Sequence, residues 1–125
     1  MNQPDGRRTA VRIEVRGKNV EVTDELREAV IQRFERVGKQ VSDLAQLDVE
    51  LYEEKNPRIA DRMGAEATLF LKGVTLRAKE SSPDMLHSIH EMAEDIRRQV
   101  KKHRDKRRKR QTTRKLMQRQ RSATV

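Results

Sequence analysis

Over residues 11–16 apolar and polar side chains alternate strictly, with Val11, Ile13 and Val15 on one side and Arg12, Glu14 and Arg16 on the other. A period of two predicts a half-buried strand. A turn and short extended piece over 17–22 follows. Thr23, Asp24 and Glu25 then supply a capping hydroxyl and first-turn acids. Leu26, Val30, Phe34 and Val37 recur at helical spacing, joined by Ala29, and Gly38 provides a stop. The pattern predicts a first helix over 24–38. Leu47, Val49 and Leu51 alternate with Asp48, Glu50 and Tyr52, a second strand. Asn56-Pro57 marks a turn within the polar stretch 53–64. Ala65, Ala67, Leu69 and Leu71 make a third strand, and Gly73 permits a reversal into a fourth at Val74, Leu76 and Ala78. Ser82-Pro83-Asp84 predicts a helix start with Ser82 as cap and Pro83 at the first helical position. Met85, Ile89, Met92, Ile96 and Val100 form its apolar stripe, with Leu86 and Ala93 alongside. The stripe fades after Val100, and helix-favouring composition continues to about residue 110. The order β-α-β-β-β-α predicts an α+β, two-layer sandwich: one four-stranded sheet with both helices on one face.

Charge changes this picture at one end. From 97 to 121 the chain holds fourteen Lys and Arg against a single acid, Asp105, whereas residues 1–96 hold fifteen bases and nineteen acids. A mildly acidic body with one concentrated basic arm suits the gripping of a polyanion, nucleic acid first. The 125 residues make one domain over 11–108, flanked by a disordered leader over 1–10 and a basic, disordered tail over 109–125. The second helix should overhang the body, and its overhang is the basic segment. Cysteine is absent, which excludes disulfides, thiolate chemistry and cysteine-ligated zinc. No signal peptide or membrane-spanning run is read, and no membrane partner is expected.

The arm residues Arg97, Arg98, Lys101, Lys102, Arg104, Lys106, Arg107, Arg108, Lys109 and Arg110 are too dense for one helix face, and they repel one another in water. Release of counterions on meeting RNA reverses that balance. His103 sits inside the run and joins the same grip. Arg77 and Lys79 alternate with Leu76 and Ala78, which puts them on the sheet face away from the helices. Aromatic residues are few: Phe34 on the helix core stripe, Phe70 and Tyr52 on the open sheet face. Recognition of folded RNA by shape and phosphate therefore fits better than stacking on single strands. His90-Glu91-Met92-Ala93-Glu94 lacks the second His of a zinc-binding helix, so no metal is expected. Neither a Gly-rich phosphate loop nor a nucleophile motif is present, so no cofactor and no enzymatic activity are expected.

Three stretches in this order resemble the ribosome hibernation-promoting factor family, also called ribosome-associated inhibitors. They are Gly17-Lys18-Asn19-Val20-Glu21-Val22-Thr23 leading into Leu26-Arg27, Asp84-Met85 with Ile89 following, and Arg98-Gln99-Val100-Lys101-Lys102-His103-Arg104-Asp105-Lys106. The resemblance covers about 11–108. It implies a fold like a double-stranded RNA-binding domain with an extra leading strand. It also implies binding to the small ribosomal subunit in the cleft between head and body, on ribosomal RNA. There the factor would compete with messenger RNA and tRNA and idle ribosomes in the cytoplasm of starved or stationary cells. It adds Lys18, Arg33 and Arg36 as RNA-contacting positions. The family usually has Tyr where Leu86 stands and often Asp where His90 stands. Long members carry a second domain through which ribosomes pair, and this chain reads either as a short member or as the front of a long one. Two other readings stay open: a general RNA-binding or ribosome-assembly protein, and a protein-docking or dimerisation module with a basic arm.

Overall fold

The computed structural model describes residues 12–38, 41 and 45–123. The expected leader over 1–10, Val11 in the first strand and the last two residues of the expected tail lie outside them. The element order is β1 (Arg12–Lys18), α1 (Asp24–Gly38), β2 (Gln46–Glu53), β3 (Met63–Leu71), β4 (Val74–Ser82) and α2 (Met85–Ala123). The strands lie side by side as β1-β2-β3-β4, parallel between β1 and β2 and antiparallel elsewhere. The predicted β-α-β-β-β-α sandwich is what forms. Leu47, Val49, Leu51, Ala65, Ala67, Leu69 and Ala78 face the helices and are buried, as the alternation requires. Val30, Phe34 and Val37 of α1, and Met85, Ile89, Met92, Ala93, Ile96 and Val100 of α2, close the core from above. α2 lies over β3 and β4, while α1 packs against α2 and β1.

Turn chemistry sets the connections. Asn19 takes a left-handed φ of 61° where the chain leaves β1, a conformation Asn tolerates better than most residues. Gly73, at φ 84°, turns β3 into β4 with only Lys72 beside it between Leu71 and Val74. Thr23 caps α1 as expected: its Oγ1 accepts from the Leu26 amide at 3.2 Å and its carbonyl from the Arg27 amide at 3.0 Å.

The start of α2 differs from expectation. Its cap is Asp84, whose Oδ2 accepts from the His87 amide and whose carbonyl accepts from the Ser88 amide, both at 3.0 Å. Ser82 ends β4 instead and serves a buried relay. The Asp84 amide donates to Ser82 Oγ at 3.2 Å, Ser82 Oγ meets Ser88 Oγ at 2.7 Å, and Ser88 Oγ donates to the Met63 carbonyl at 2.6 Å. Each hydroxyl has one proton. Ser88 directs its own to Met63, and Ser82 has two acceptors within 2.7 Å for its single proton, the Asp84 carbonyl and Ser88 Oγ. The chain of bonds ties the first turn of α2 to both β3 and β4. Leu86 is a second correction: it is 43% exposed and stands off the core stripe, beside the buried Met85.

The far end of α2 is the third. The helix does not stop near residue 110 but continues to Ala123, so 109–123 is helix and not a structureless tail. Neither Gly nor Pro occurs after Pro83, and the residues are mostly Lys, Arg, Gln, Leu and Met, all good helix formers. Thr112 and Thr113 satisfy their hydroxyls on the Arg108 and Lys109 carbonyls, each at 3.0 Å.

Replacing the fully buried Ser88 by Ala takes a donor from the Met63 carbonyl and leaves Ser82 with only its Asp84 bonds. It should lower unfolding free energy by about 1–3 kcal/mol in urea titration; a change below about 0.5 kcal/mol would mean that the relay holds nothing. Leu86→Tyr, at an exposed site, should stay within about 0.5 kcal/mol of the parent in the same assay.

Candidate nucleic-acid interface

The cationic side chains expected to meet RNA fall on three surfaces. The first is the outer side of α2. Arg98, Lys101, Lys102, Lys106 and Lys109 line one shallow groove along the helix, with Asp105 among them. Spacings of three, four and seven residues put them on a single stripe. Arg108 and Arg110 are exposed on the same projecting arm, as are Arg114 and Lys115, which the sequence reading did not single out. From 101 to 123 the arm projects about 35 Å at 1.5 Å per residue. Leu116 and Met117 are its exposed apolar residues, beyond the reach of the core.

The second surface is the end of the body from which the arm leaves. Here His103, Arg104 and Arg107 turn back towards the sheet and meet Lys72 at the β3–β4 hairpin, over an apolar floor of Val41, Leu71 and Val100. Arg33 and Arg36 are exposed on α1. The register of β3 on β4, together with the path of α2, brings Lys72 to this place. No local pattern in the sequence announces it.

The third surface is the open face of the sheet. Lys18, Arg77 and Lys79 are exposed there, as the alternation requires. They flank acids. Glu14 pairs across to Asp48, and Glu50 stands opposite Glu66, so the middle of the face is a carboxylate patch. Bases occupy the edge strands: Arg12, Arg16 and Lys18 on β1, Arg77 and Lys79 on β4. A cleft of about 420 Å³ at one end of this face combines Lys18, Lys55 and Lys79 with Glu50, Glu53, Glu54 and Glu66. Tyr52 has its ring under Lys79 Nζ, 5.4 Å from the centroid. The ring also covers Gly64, where any Cβ would collide with it. Phe70 is exposed further along the face. The predicted residues therefore do not share one plane. The α1 and α2 groups belong to the helical layer, and Lys18, Arg77 and Lys79 to the opposite side.

Two α2 side chains on the body are already engaged. Gln99 Nε2 donates to the Arg77 carbonyl at 2.7 Å and to Asp95 Oδ1 at 3.1 Å, which closes part of the exposed β4 edge. Arg97 directs Nη2 and Nε to Glu94 Oε1 at 3.0 and 3.3 Å.

The chain matches the family described as Sigma 54 modulation protein / S30EA ribosomal protein over residues 13–108. It belongs to that family. The resemblance read from its three stretches holds. It is 35% identical over 97 residues to the ribosome hibernation promotion factor of Lactococcus lactis subsp. cremoris, covering 74% of this chain and 49% of that protein. It is 31% identical over 96 residues to the ribosome hibernation promoting factor of Salmonella typhimurium, covering 77% of this chain and 96% of that one. The fold matches that of a ribosomal subunit interface protein from Coxiella burnetii with a TM-score of 0.64 at 20% identity, over 75% of this chain and 98% of the other. The chain spans about half the length of the first relatives it matches.

Within the family frame, the two departures have clear positions. Leu86 is exposed at the start of α2, so the side chain there is free to vary without disturbing the core. His90 is half-buried, and its Nδ1 is shut off from solvent without a hydrogen-bond partner. His87 instead lies 4.0 Å from Glu91, one turn on. Among the described residues no three potential ligands gather as a metal site would need, and no helix is long and apolar enough to cross a membrane.

The hydrogen bond from Arg97 holds the Glu94 carboxyl below its ordinary value against the opposing effect of burial, with the charges of Arg97, His90 and Arg98 helping. A carboxylate depressed in the folded state adds stability above its unfolded value, and that contribution fades as pH falls through the lowered one. Arg97→Ala should move the Glu94 midpoint, read by carbon-detected NMR titration, back up towards the ordinary range. An unmoved midpoint would assign the depression to the other charges.

Proposed function

We propose that this chain is a ribosome hibernation factor that docks on the small ribosomal subunit through ribosomal RNA. In this reading it holds the space that messenger RNA and tRNA use, in the cytoplasm of resting or stressed cells. It works by occupying volume and not by catalysis. The observation that carries the reading is the arm: a single helix whose first half is core and whose second half is a rod of cations. Such a rod needs a polyanion along its length, and its stripe of five bases matches a phosphate track better than any point ligand. Membership of a family whose similar proteins are named ribosome hibernation promotion factors supports ribosomal RNA as that polyanion.

The open sheet face supports a particular orientation. Its central carboxylates repel phosphate, so RNA is met by the helical layer and by the basic sheet edges, where Lys18, Arg77 and Lys79 stand. A protein that presents RNA-seeking groups on two sides with an acidic strip between them suits a cleft with two RNA walls. A flat duplex would satisfy only one side.

Co-sedimentation with purified small subunits and with free duplex RNA, across a salt series, tests this. Tight subunit binding that excludes messenger and initiator tRNA is expected, with log K falling by roughly 4 to 5 per tenfold rise in salt if about six phosphates are neutralised. Changing Arg98, Lys101, Lys102 and Lys106 together to Ala should make that slope shallower by about 3 to 4 while the fold persists, since all four are exposed. Equal affinity for any duplex would instead make the chain a general RNA binder.

A further inference from the structure

Three clefts differ sharply in chemistry. The one on the sheet face mixes three lysines with four glutamates. The groove on the outer side of α2 is walled by the stems and heads of Lys and Arg with Asp105 among them, and its described lining includes no apolar residue. The third, about 230 Å³ at the root of the arm, has Lys72, His103, Arg104 and Arg107 around Val41, Leu71 and Val100, and no acid among its described lining residues. Its Arg104 carries a further oddity. The Nε of that guanidinium is shut off from solvent and has no hydrogen-bond partner. A buried, unpaired donor is costly, and a cation beside three other cationic or proton-binding groups makes the place costlier still.

We propose that this cleft is a binding site for a single nucleotide: a planar base laid against the Val41–Leu71–Val100 floor, with its phosphate held by Lys72, Arg104 and Arg107. The apolar floor takes the face of a base. His103 and the guanidinium planes offer the stacking partners that bases favour. Arginine forks fit phosphate oxygens in pairs, and Lys72 adds a mobile point charge from the hairpin tip. An anion in this position offsets the mutual repulsion of Lys72, Arg104 and Arg107. A bare phosphate would leave the apolar floor unused, and an apolar ligand would leave the charges unpaired. A nucleotide uses both. It comes either from an extruded residue of RNA or from a free nucleotide.

The first arm of the test needs no ribosome. The full chain is titrated with adenosine 5′-monophosphate and, separately, ribose 5-phosphate, and backbone NMR shifts are followed. The monophosphate nucleotide should move the resonances of Lys72, Val100, His103 and Arg104, and bind about five- to tenfold tighter than the sugar phosphate, which lacks the base. Val41→Trp fills the floor and keeps all four basic groups. It should remove that preference. Lys72→Ala, at an exposed hairpin residue, should weaken both probes alike and controls for any disturbance by the Trp. Equal binding of the two probes would overturn the proposal. So would shifts spread along the outer stripe, or an unchanged preference in Val41→Trp.

The second arm rests on the RNA-binding reading and separates the sources. A roughly fivefold loss of small-subunit affinity in Val41→Trp, with an unchanged salt slope, identifies an RNA nucleotide as the occupant. Full affinity identifies a free nucleotide. If the parent chain fails to bind subunits at all, the first arm still decides the cleft.

Discussion

A helix that is already nucleated costs little to extend, and the structure depends on that asymmetry. Starting a helix fixes several residues for one hydrogen bond, whereas each later residue brings its own bond. In isolation the segment beyond residue 100 would have to overcome nucleation against the repulsion of its own cations. In the folded chain it does not start a helix; it inherits one. Met85, Ile89, Met92, Ile96 and Val100 are sealed into the core, and the relay through Ser82, Ser88 and Met63 pins the first turn to two strands. Gln99 holds the last body turn to the β4 edge. The direction of the arm is thus fixed by packing that runs from the first turn of α2 up to Val100, where the charges take over.

That division of labour explains which features were legible in the sequence. Strict alternation at Leu47, Val49 and Leu51, and again from Ala65 to Leu71, gave the sheet and its buried face. Thr23 and Gly38 bounded α1, and the stripe from Met85 to Val100 gave the core half of α2. The arm's length was misread because its apolar stripe ends at Val100, and a stripe reports burial, not helix. The informative signal was of another kind: an unbroken run without Gly or Pro after Pro83. Leu86 was misread for a related reason. It neighbours the stripe in sequence, and apolar character alone does not say on which side of the edge a residue falls. Lys72 beside His103, Arg104 and Arg107 was not legible at all, since that meeting follows from strand register and helix path together.

Electrostatics is organised by the same two layers. Cross-strand pairing sets Glu14 beside Asp48 and Glu50 opposite Glu66, arrangements that are unfavourable on their own account. Bases on the flanking strands β1 and β4 compensate, Arg16 next to Glu50 and Lys79 next to Glu66. The result is a face whose charge nearly cancels locally but is acidic at its centre. The helical side has no such compensation beyond residue 97, where Asp105 stands alone. A polyanion approaching from any distance within the screening length is therefore turned towards the helical side before contact is made.

Steering and fixing are separate tasks, and the arm has separate faces for them. The outer stripe of Arg98, Lys101, Lys102, Lys106 and Lys109 is open to solvent, and in the proposed role it would grip by displacing counterions, strongly at low salt, weakly at high salt and without regard to sequence. Left to itself it would allow sliding along any phosphate track. The root of the arm is different in kind. Val41, Leu71 and Val100 would contribute by excluding water, which salt does not screen, beside the half-buried Arg104. On the proposed reading, a rod that attracts without choosing, joined to a small cleft that takes one nucleotide, would convert non-specific attraction into a fixed register. Because both sit on one continuous helix, occupation of the cleft sets where every cation of the stripe must lie.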